Sequence, residues 1–309
     1  MTRTVAALAA LLALFATASC STEEQMRGVD PAAGGDAADV AATPGGFPTA
    51  VPAATGDVST SGLVTVLDDG DGPELCTFVA ESLPPQCSGT PMTGWNWAAH
   101  PEHDDQSGTK WGSFALTGTF DGTTFTATSA IPAALYDPMS QPPDPAFTTA
   151  CTPPAGGWAV LDPATTNQKS MDATFTAASA LPGYAGAWID QPVDPAVDPA
   201  LDPAVEAEMN DPTRLIINVA VTEDVAGAEA TLRDTWGGAL CVSEAAYTES
   251  ELNALAMELQ KLPGVTSSSA ADDVVQIGVL FDDGSLQEWA DTTYGAGRVE
   301  ITSTLVRSG

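Results

Sequence analysis

The sequence predicts an α+β protein: a small antiparallel β-domain followed by a domain of helices packed on a sheet. Three observations carry this. Residues 58–135 are rich in Val, Thr, Phe and Trp, alternate apolar with polar, and are broken by hairpin turn signals. Residues 183–309 alternate strand-like runs with helix-like runs that carry their own caps. Ahead of both, and between them, lie Pro-, Ala- and Gly-rich stretches with no hydrophobic periodicity.

The amino end reads "MTRTVAALAALLALFATASCSTEEQ". One cation, Arg3, precedes the uncharged run Val5–Ala18, and small residues lead into Cys20. A basic start, a short apolar run and small residues describe a secretory signal over residues 1–19. The run falls short of the roughly 20 residues a membrane span needs. Thr17, Ala18, Ser19 and Cys20 resemble the lipobox of bacterial lipoproteins, with Thr17 where leucine is usual. The resemblance implies a diacylglyceryl (palmitate-type) thioether on Cys20, which becomes the first mature residue. Each buried methylene contributes about 0.8 kcal/mol, so two or three acyl chains hold a protein almost permanently. The partner is then a lipid bilayer, and the expected location is the outer face of the cytoplasmic membrane, in the cell envelope. The alternative is an ordinary signal peptide and a freely secreted protein.

Charge narrows the partners further. Nine basic residues against 41 acidic give −32 for the full chain. Loss of residues 1–19 removes only Arg3, so the mature balance is 8 − 41 = −33. Nucleic acid is excluded, because its binding needs Lys and Arg on phosphates. Anionic headgroups repel the chain as well. Cations are what such a field gathers.

Residues 20–57 are expected to be a disordered linker, since "GVDPAAGGDAADVAATPGGFPTAVPAATG" offers nothing to bury. A coil of about 36 residues spans about 30–35 Å.

The β-rich domain, 58–135, starts with "GLVTVLDD" and "LCTFVA" as strand candidates. "KWGSFALTGTF" and "TTFTATSAI" flank Asp121–Gly122, a strong hairpin signal because both residues tolerate positive φ. Five strands would close an OB-type barrel; an open antiparallel sheet is the alternative. "DDGDGPE", Asp68 to Glu74, reads as a hairpin turn, because it lacks the remaining ligands of a calcium loop.

A Pro-rich connector covers 136–182, with one helix expected in "SMDATFTAASALPG". The α/β domain, 183–309, contains an Asp-Pro loop, 191–212, in which Asp-Pro-Ala recurs at Asp194, Asp198 and Asp202. Proline every fourth residue forbids a helix interior. A calcium-binding repeat would need glycine turns and closely spaced oxygens. "YAGAWID" and "RLIINVAVTED" are strands, the second with Leu215, Ile217, Val219 and Val221 on one face. Asp224 caps a helix. Thr248 and Glu251 form a capping box ahead of the stripe Leu252, Leu255, Leu259, Leu262. "VVQIGVLFD", a short helix opened by a second box at Ser285 and Glu288, and "RVEITSTLV" complete the chain.

The run "YAGAWID…RLIINVAVTEDVAGAEATLR…YTESELNALAMELQ…VVQIGVLF" is similar in pattern to the pro-segments of actinobacterial secreted proteases of the alpha-lytic and streptogrisin type. That likeness implies a small α/β module. No "GDSGG" nucleophile segment accompanies it, so protease activity is not implied. Taken whole, the chain resembles the secreted lipoproteins of actinobacteria.

Four cysteines remain after Cys20, and an exported chain pairs them. Of three connectivities, Cys76 with Cys87 is favoured, since "CTFVAESLPPQC" folds back at Pro84–Pro85; Cys151 would then pair with Cys241. The alternative for Cys241 is a buried thiol.

The two histidines, His100 and His103, lie in "WNWAAHPEHDDQSG". With Glu102, Asp104 and Asp105 they offer nitrogen and oxygen ligands for weakly held zinc or copper; a solvated polar loop is the alternative. No other cofactor is indicated, and no catalytic constellation is present: the sequence has no Gly-x-Ser-x-Gly elbow, phosphate loop or His-Glu-x-x-His. Trp95, Trp97 and Trp111 flank the loop, either as a binding platform or as a plug in the barrel mouth. The reading is a lipid-anchored binding or interaction module for an unspecified protein or small molecule. The alternatives are an inhibitor or folding assistant of a secreted protease, and a metal-dependent enzyme using His100 and His103.

Overall fold

A computed structural model describes residues 46–137, 149–191 and 210–308. The signal segment, Cys20, most of the linker, the middle of the connector and most of the Asp-Pro loop lie outside the described residues. All described residues belong to one compact unit, Thr43–Gly309.

The β-rich stretch supplies β1 (Val58–Thr60), β2 (Val64–Asp68), β3 (Glu74–Cys76), β4 (Thr90–Thr93), β5 (Asp104–Gln106), β6 (Thr109–Phe120) and β7 (Phe125–Pro132). Five of them close a barrel in the order β6-β2-β3-β4-β7, with β7 returning to β6. All its pairings are antiparallel except β4 with β7, which is parallel. The 12-residue β6 makes closure possible: one edge takes β2 and β1, the other β5 and β7.

Alternation along β6 sends Phe114, Leu116 and Phe120 inward to meet Val64, Val66, Leu75, Met92 and Phe125. Gly118, between them, has no room for a side chain: a Cβ there would run into the Thr126 carbonyl across the hairpin. The β6–β7 turn forms at Asp121–Gly122. Asp121 Oδ1 accepts from the Thr123 and Thr124 amides at 2.9 and 2.8 Å. The "DDGDGPE" stretch is likewise the β2–β3 turn, with Asp68 Oδ1 accepting from Gly70 N at 3.0 Å.

The later residues form α1 (Gln168–Ser179), β8 (Tyr184–Asp190), β9 (Ile216–Val221), α2 (Val225–Arg233), β10 (Ala239–Glu244), α3 (Glu249–Leu259), β11 (Val265–Ala271), β12 (Val274–Phe281), α4 (Ser285–Tyr294) and β13 (Val299–Arg307). These contribute to two sheets. β10-β9-β8 is a separate three-stranded sheet. β11-β12-β13 continues the barrel sheet, because β1 pairs with β13 on one edge and β6 on the other. Parallel pairs β9–β10 and β12–β13 are each joined by a crossover helix, α2 and α4.

Leu215, Ile217, Val219 and Val221 share one face, as their alternation requires, and pack with Met171 and Ala178 of α1, Leu232 of α2 and Trp236. The α3 stripe and α4 cover Val275, Ile277 and Val279 of β12. The Thr248–Glu251 capping box forms, and Asp224 caps α2 through Gly227 N at 3.0 Å. The second box does not. Ser285 is already inside α4, and the orphan amides go instead to Asp282, which accepts from Gly284 N and Leu286 N at 3.0 and 2.9 Å. Disulfides join Cys76 to Cys87 and Cys151 to Cys241, with Cα atoms 6.2 and 5.7 Å apart.

Candidate functional site

The aromatic–histidine loop is drawn together. Trp95 stacks on His100 with ring centroids 4.2 Å apart and meets Phe114 edge-on at 4.9 Å. Trp97 lies 5.3 Å from Trp95 and 4.9 Å from His103, and its Nε1–H donates to Asp68 Oδ2 at 2.9 Å. Both indoles pack on the barrel core. Burial alone would raise the Asp68 pKa, but the Trp97 indole and the Gly70 and Gly72 amides outweigh it and hold the carboxyl below its usual range. His103 Nδ1 sits 2.6 Å from the His100 carbonyl oxygen. Trp111 is not part of this cluster; it lies on β6 in register with Leu67 and Asp104.

Among the described residues, His100 and His103 gather no third metal ligand. Among the described residues the one trio close enough for an ion is Glu74, Cys76 and Cys87, and two of its members form a disulfide. Glu74 Oε2 is occupied by Gly89 N at 2.9 Å. The loop's geometry is that of a packed lid on the barrel rather than an open basin.

An open basin lies elsewhere. A cleft of about 370 Å³ sits against the face of β8-β9-β10 that α1 and α2 do not cover. Its floor follows from register. Gly186 of β8 pairs with Ala220 of β9, and Ala220 with Ser243 of β10, so all three share one face. None carries a side chain larger than a hydroxymethyl. A Cβ built on Gly186 would meet nothing within 4 Å. Elsewhere on this face Ile216, Ala239 and Cys241 are covered by Cys151 and Trp158. The cleft is therefore the part of the face left unfilled where three adjacent strands place Gly, Ala and Ser side by side.

Its walls are fixed independently. On one side stands Ala150, held by the Cys151–Cys241 bond and by Thr149, whose amide and hydroxyl both donate to Asp190 Oδ2 at 2.8 and 2.6 Å. Opposite are Leu252 on α3 and the end of β11, Ala270 and Ala271. The β11–β12 turn, Asp272–Asp273, has positive φ at both residues (52° and 65°), as a type I′ hairpin turn demands. Asp273 ties this turn to α3's approach by accepting from the Ala246 and Tyr247 amides at 2.9 and 3.0 Å.

Tyr184 and Trp188 supply aromatic surface to the cleft, and Glu244, Glu249, Asp272 and Asp273 its acids; no Lys, Arg or His lines it among the described residues. Glu244, Glu249 and Asp272 are exposed, so they form the rim. Partial burial, with the Glu249 charge beside it, raises the Tyr184 pKa and keeps the phenol a neutral hydrogen-bond donor. Chemically the arrangement has an interior of small and aromatic residues, a hydroxyl at its floor, and a negative mouth.

The cleft residues carry no motif. Their one signal in the sequence is the recurrence of Gly or Ala inside otherwise bulky strands, Gly186 in "YAGAWID" and Ala220 in "IINVAV". No known protein family matches the chain, and no curated protein matches it in sequence.

Proposed function

We propose that the chain is an extracytoplasmic binding protein, held at the membrane by acylated Cys20, whose ligand enters the cleft over Gly186, Ala220 and Ser243. The observation that carries this is the floor. A sheet face inside a domain is ordinarily filled by side chains at crystal-like density, and here three paired strands leave it open while a disulfide and five polar contacts hold the walls apart. A cleft of this size suits a small molecule or a few residues of a peptide.

The anchor rests on the segment before Cys20, and no helix among the described residues is long and apolar enough to cross a membrane. The barrel is best read as OB-like. Its strand order, with the one parallel pair β4–β7, supports that reading, and β1, paired to β6 on one edge and β13 on the other, ties the barrel to the later strands.

Two experiments test the proposal. Cys20→Ala is expected to release the protein from the membrane fraction or leave it unprocessed; normal cleavage with retained membrane attachment contradicts the anchor. For the cleft, a thermal-shift screen compares the natural chain with Ala220→Phe, which fills the floor. A ligand of the cleft raises the melting temperature of the first and not of the second. Hits that raise both equally contradict the assignment of the site.

A further inference from the structure

The rim gives the cleft's ligand a chemical class; this step rests on the cleft being the binding site. We infer that the cleft takes an alkylammonium or guanidinium cation on a slim methylene chain, with the chain lying over the Gly186–Ala220–Ser243 floor and its charged end or ends at the acidic rim.

Four observations converge on this ligand. First, small apolar side chains recur in the lining. Ala150, Ala220, Ala245 and Ala270 offer methyl groups beside the bare Gly186, which suits a row of methylenes. Second, three rim carboxylates are uncommitted. Asp273 is occupied by the backbone amides of Ala246 and Tyr247, whereas no hydrogen bond or ion pair from a described residue engages Glu244, Glu249 or Asp272. Their charge is available to a partner from outside. Third, no base among the described lining residues competes for them. Elsewhere in the molecule the few cations have local uses, such as Arg233 with Glu229 at 3.6 Å and Arg298 over the Tyr247 ring at 4.0 Å. Fourth, Tyr184 and Trp188 stand in the same cleft, and aromatic faces attract ammonium and guanidinium groups.

The net charge of −32 adds a long-range term, since a cleft mouth of one sign focuses the field of the whole molecule and raises the local concentration of cations. An anionic ligand is opposed by both the near and the far field. A neutral alkyl chain gains the floor but not the rim.

The same chemistry is found in a free diamine and in a lysyl side chain, and titration calorimetry on the mature chain in detergent separates the two. The probes are 1,5-diaminopentane, the peptide acetyl-Ala-Ala-Lys-Ala-Ala-amide, and 1,5-pentanediol as the neutral match in length. The diamine or the peptide is expected to bind, the diol not. Binding falls at least tenfold in the double variant Glu244→Gln/Glu249→Gln and is abolished in Ala220→Phe, with Ser243→Leu as a second filler should the first fail to fold. A diamine tighter than the peptide assigns the site to free amines; the reverse assigns it to polypeptide lysines. Absence of binding by either cation to the natural chain overturns the inference, as does binding untouched by the two Glu→Gln changes. A diol that binds and is lost on Ala220→Phe, with both cations inert, removes the cation while keeping the cleft. Cation binding that survives both fillers contradicts cleft and cation alike.

Discussion

Removing the Cys151–Cys241 bond, by Cys151→Ala with Cys241→Ala, is the perturbation whose cost the structure fixes best. The bond closes a loop with a sequence separation of 90 residues; Cys76–Cys87 closes one of 11. Loop-closure entropy gives about 4.6 kcal/mol at 25 °C for the longer loop and about 2.8 kcal/mol for the shorter. The longer figure is a large part of the roughly 5–15 kcal/mol that typical domains possess. Local packing adds in the same direction, since Cys241 is buried among Ile216, Ala239 and Trp158. Urea titration of the mature chain in detergent, followed by tryptophan fluorescence, measures both pairs. The expected outcome is a midpoint lowered by both double variants, with the 151/241 variant about 1.5–2 kcal/mol the less stable of the two. The 151/241 change also frees Ala150, one wall of the cleft, so binding should weaken even where the fold persists. An equal or smaller loss than for the 76/87 variant would refute the reasoning, and would mean that the 149–158 segment is held by its other contacts.

Gly118→Ala places a Cβ against the Thr126 carbonyl and Phe125 ring inside the β6–β7 hairpin, so it should cost about 1–3 kcal/mol by chemical unfolding. Trp236→Ala removes a fully buried indole whose Nε1–H donates to the Ala239 carbonyl at 2.8 Å, with an expected loss of about 3–5 kcal/mol in the same assay. Thr248→Ala breaks the α3 capping box beside the cleft and should cost about 1 kcal/mol. Acid should destabilise the fold through specific carboxyls. Backbone and side-chain donors hold Asp121, Asp211, Glu251 and Asp283 below their ordinary pKa, and at Asp68 such donors outweigh burial. A depressed carboxyl contributes stability above its unfolded value, about pH 4, and loses it as pH falls through the lower folded value. Thermal melts from pH 5 down to pH 2 should therefore show a falling midpoint, with a shallower fall in Asp68→Asn.

How much of this was legible in the sequence depends on whether the signal was local. The Asp121–Gly122 hairpin, the Leu215–Val221 face, the Asp224 cap and the Thr248–Glu251 box are each written within a few consecutive residues, and each appears where its pattern places it. The Ser285–Glu288 box misleads because Asp282 and Asp283, just upstream, compete for the same amides. The division of β8–β13 between two sheets is not local at all. It depends on the three-residue β1 pairing with β13, some 250 positions away, and nothing in "VST" announces such a partner. The cleft was hidden for a further reason. Periodicity reports where bulk is, whereas the cleft is made where Gly186, Ala220 and Ser243 lack it, and only strand register shows that these three are neighbours. By contrast, Trp95, Trp97 and His100 stood out by residue type, and their bulk is spent on packing the barrel.

The most direct test of the cleft is its own methyl groups. Alanine-methyl-labelled protein, titrated with 1,5-diaminopentane and followed by carbon–proton correlation NMR, should show saturable shifts at Ala150, Ala220, Ala245 and Ala270, with the barrel methyls Ala127 and Ala130 unmoved. Shifts spread evenly over the acidic surface, or gathered on the barrel beside Trp95 while the four cleft methyls stay still, would contradict the account.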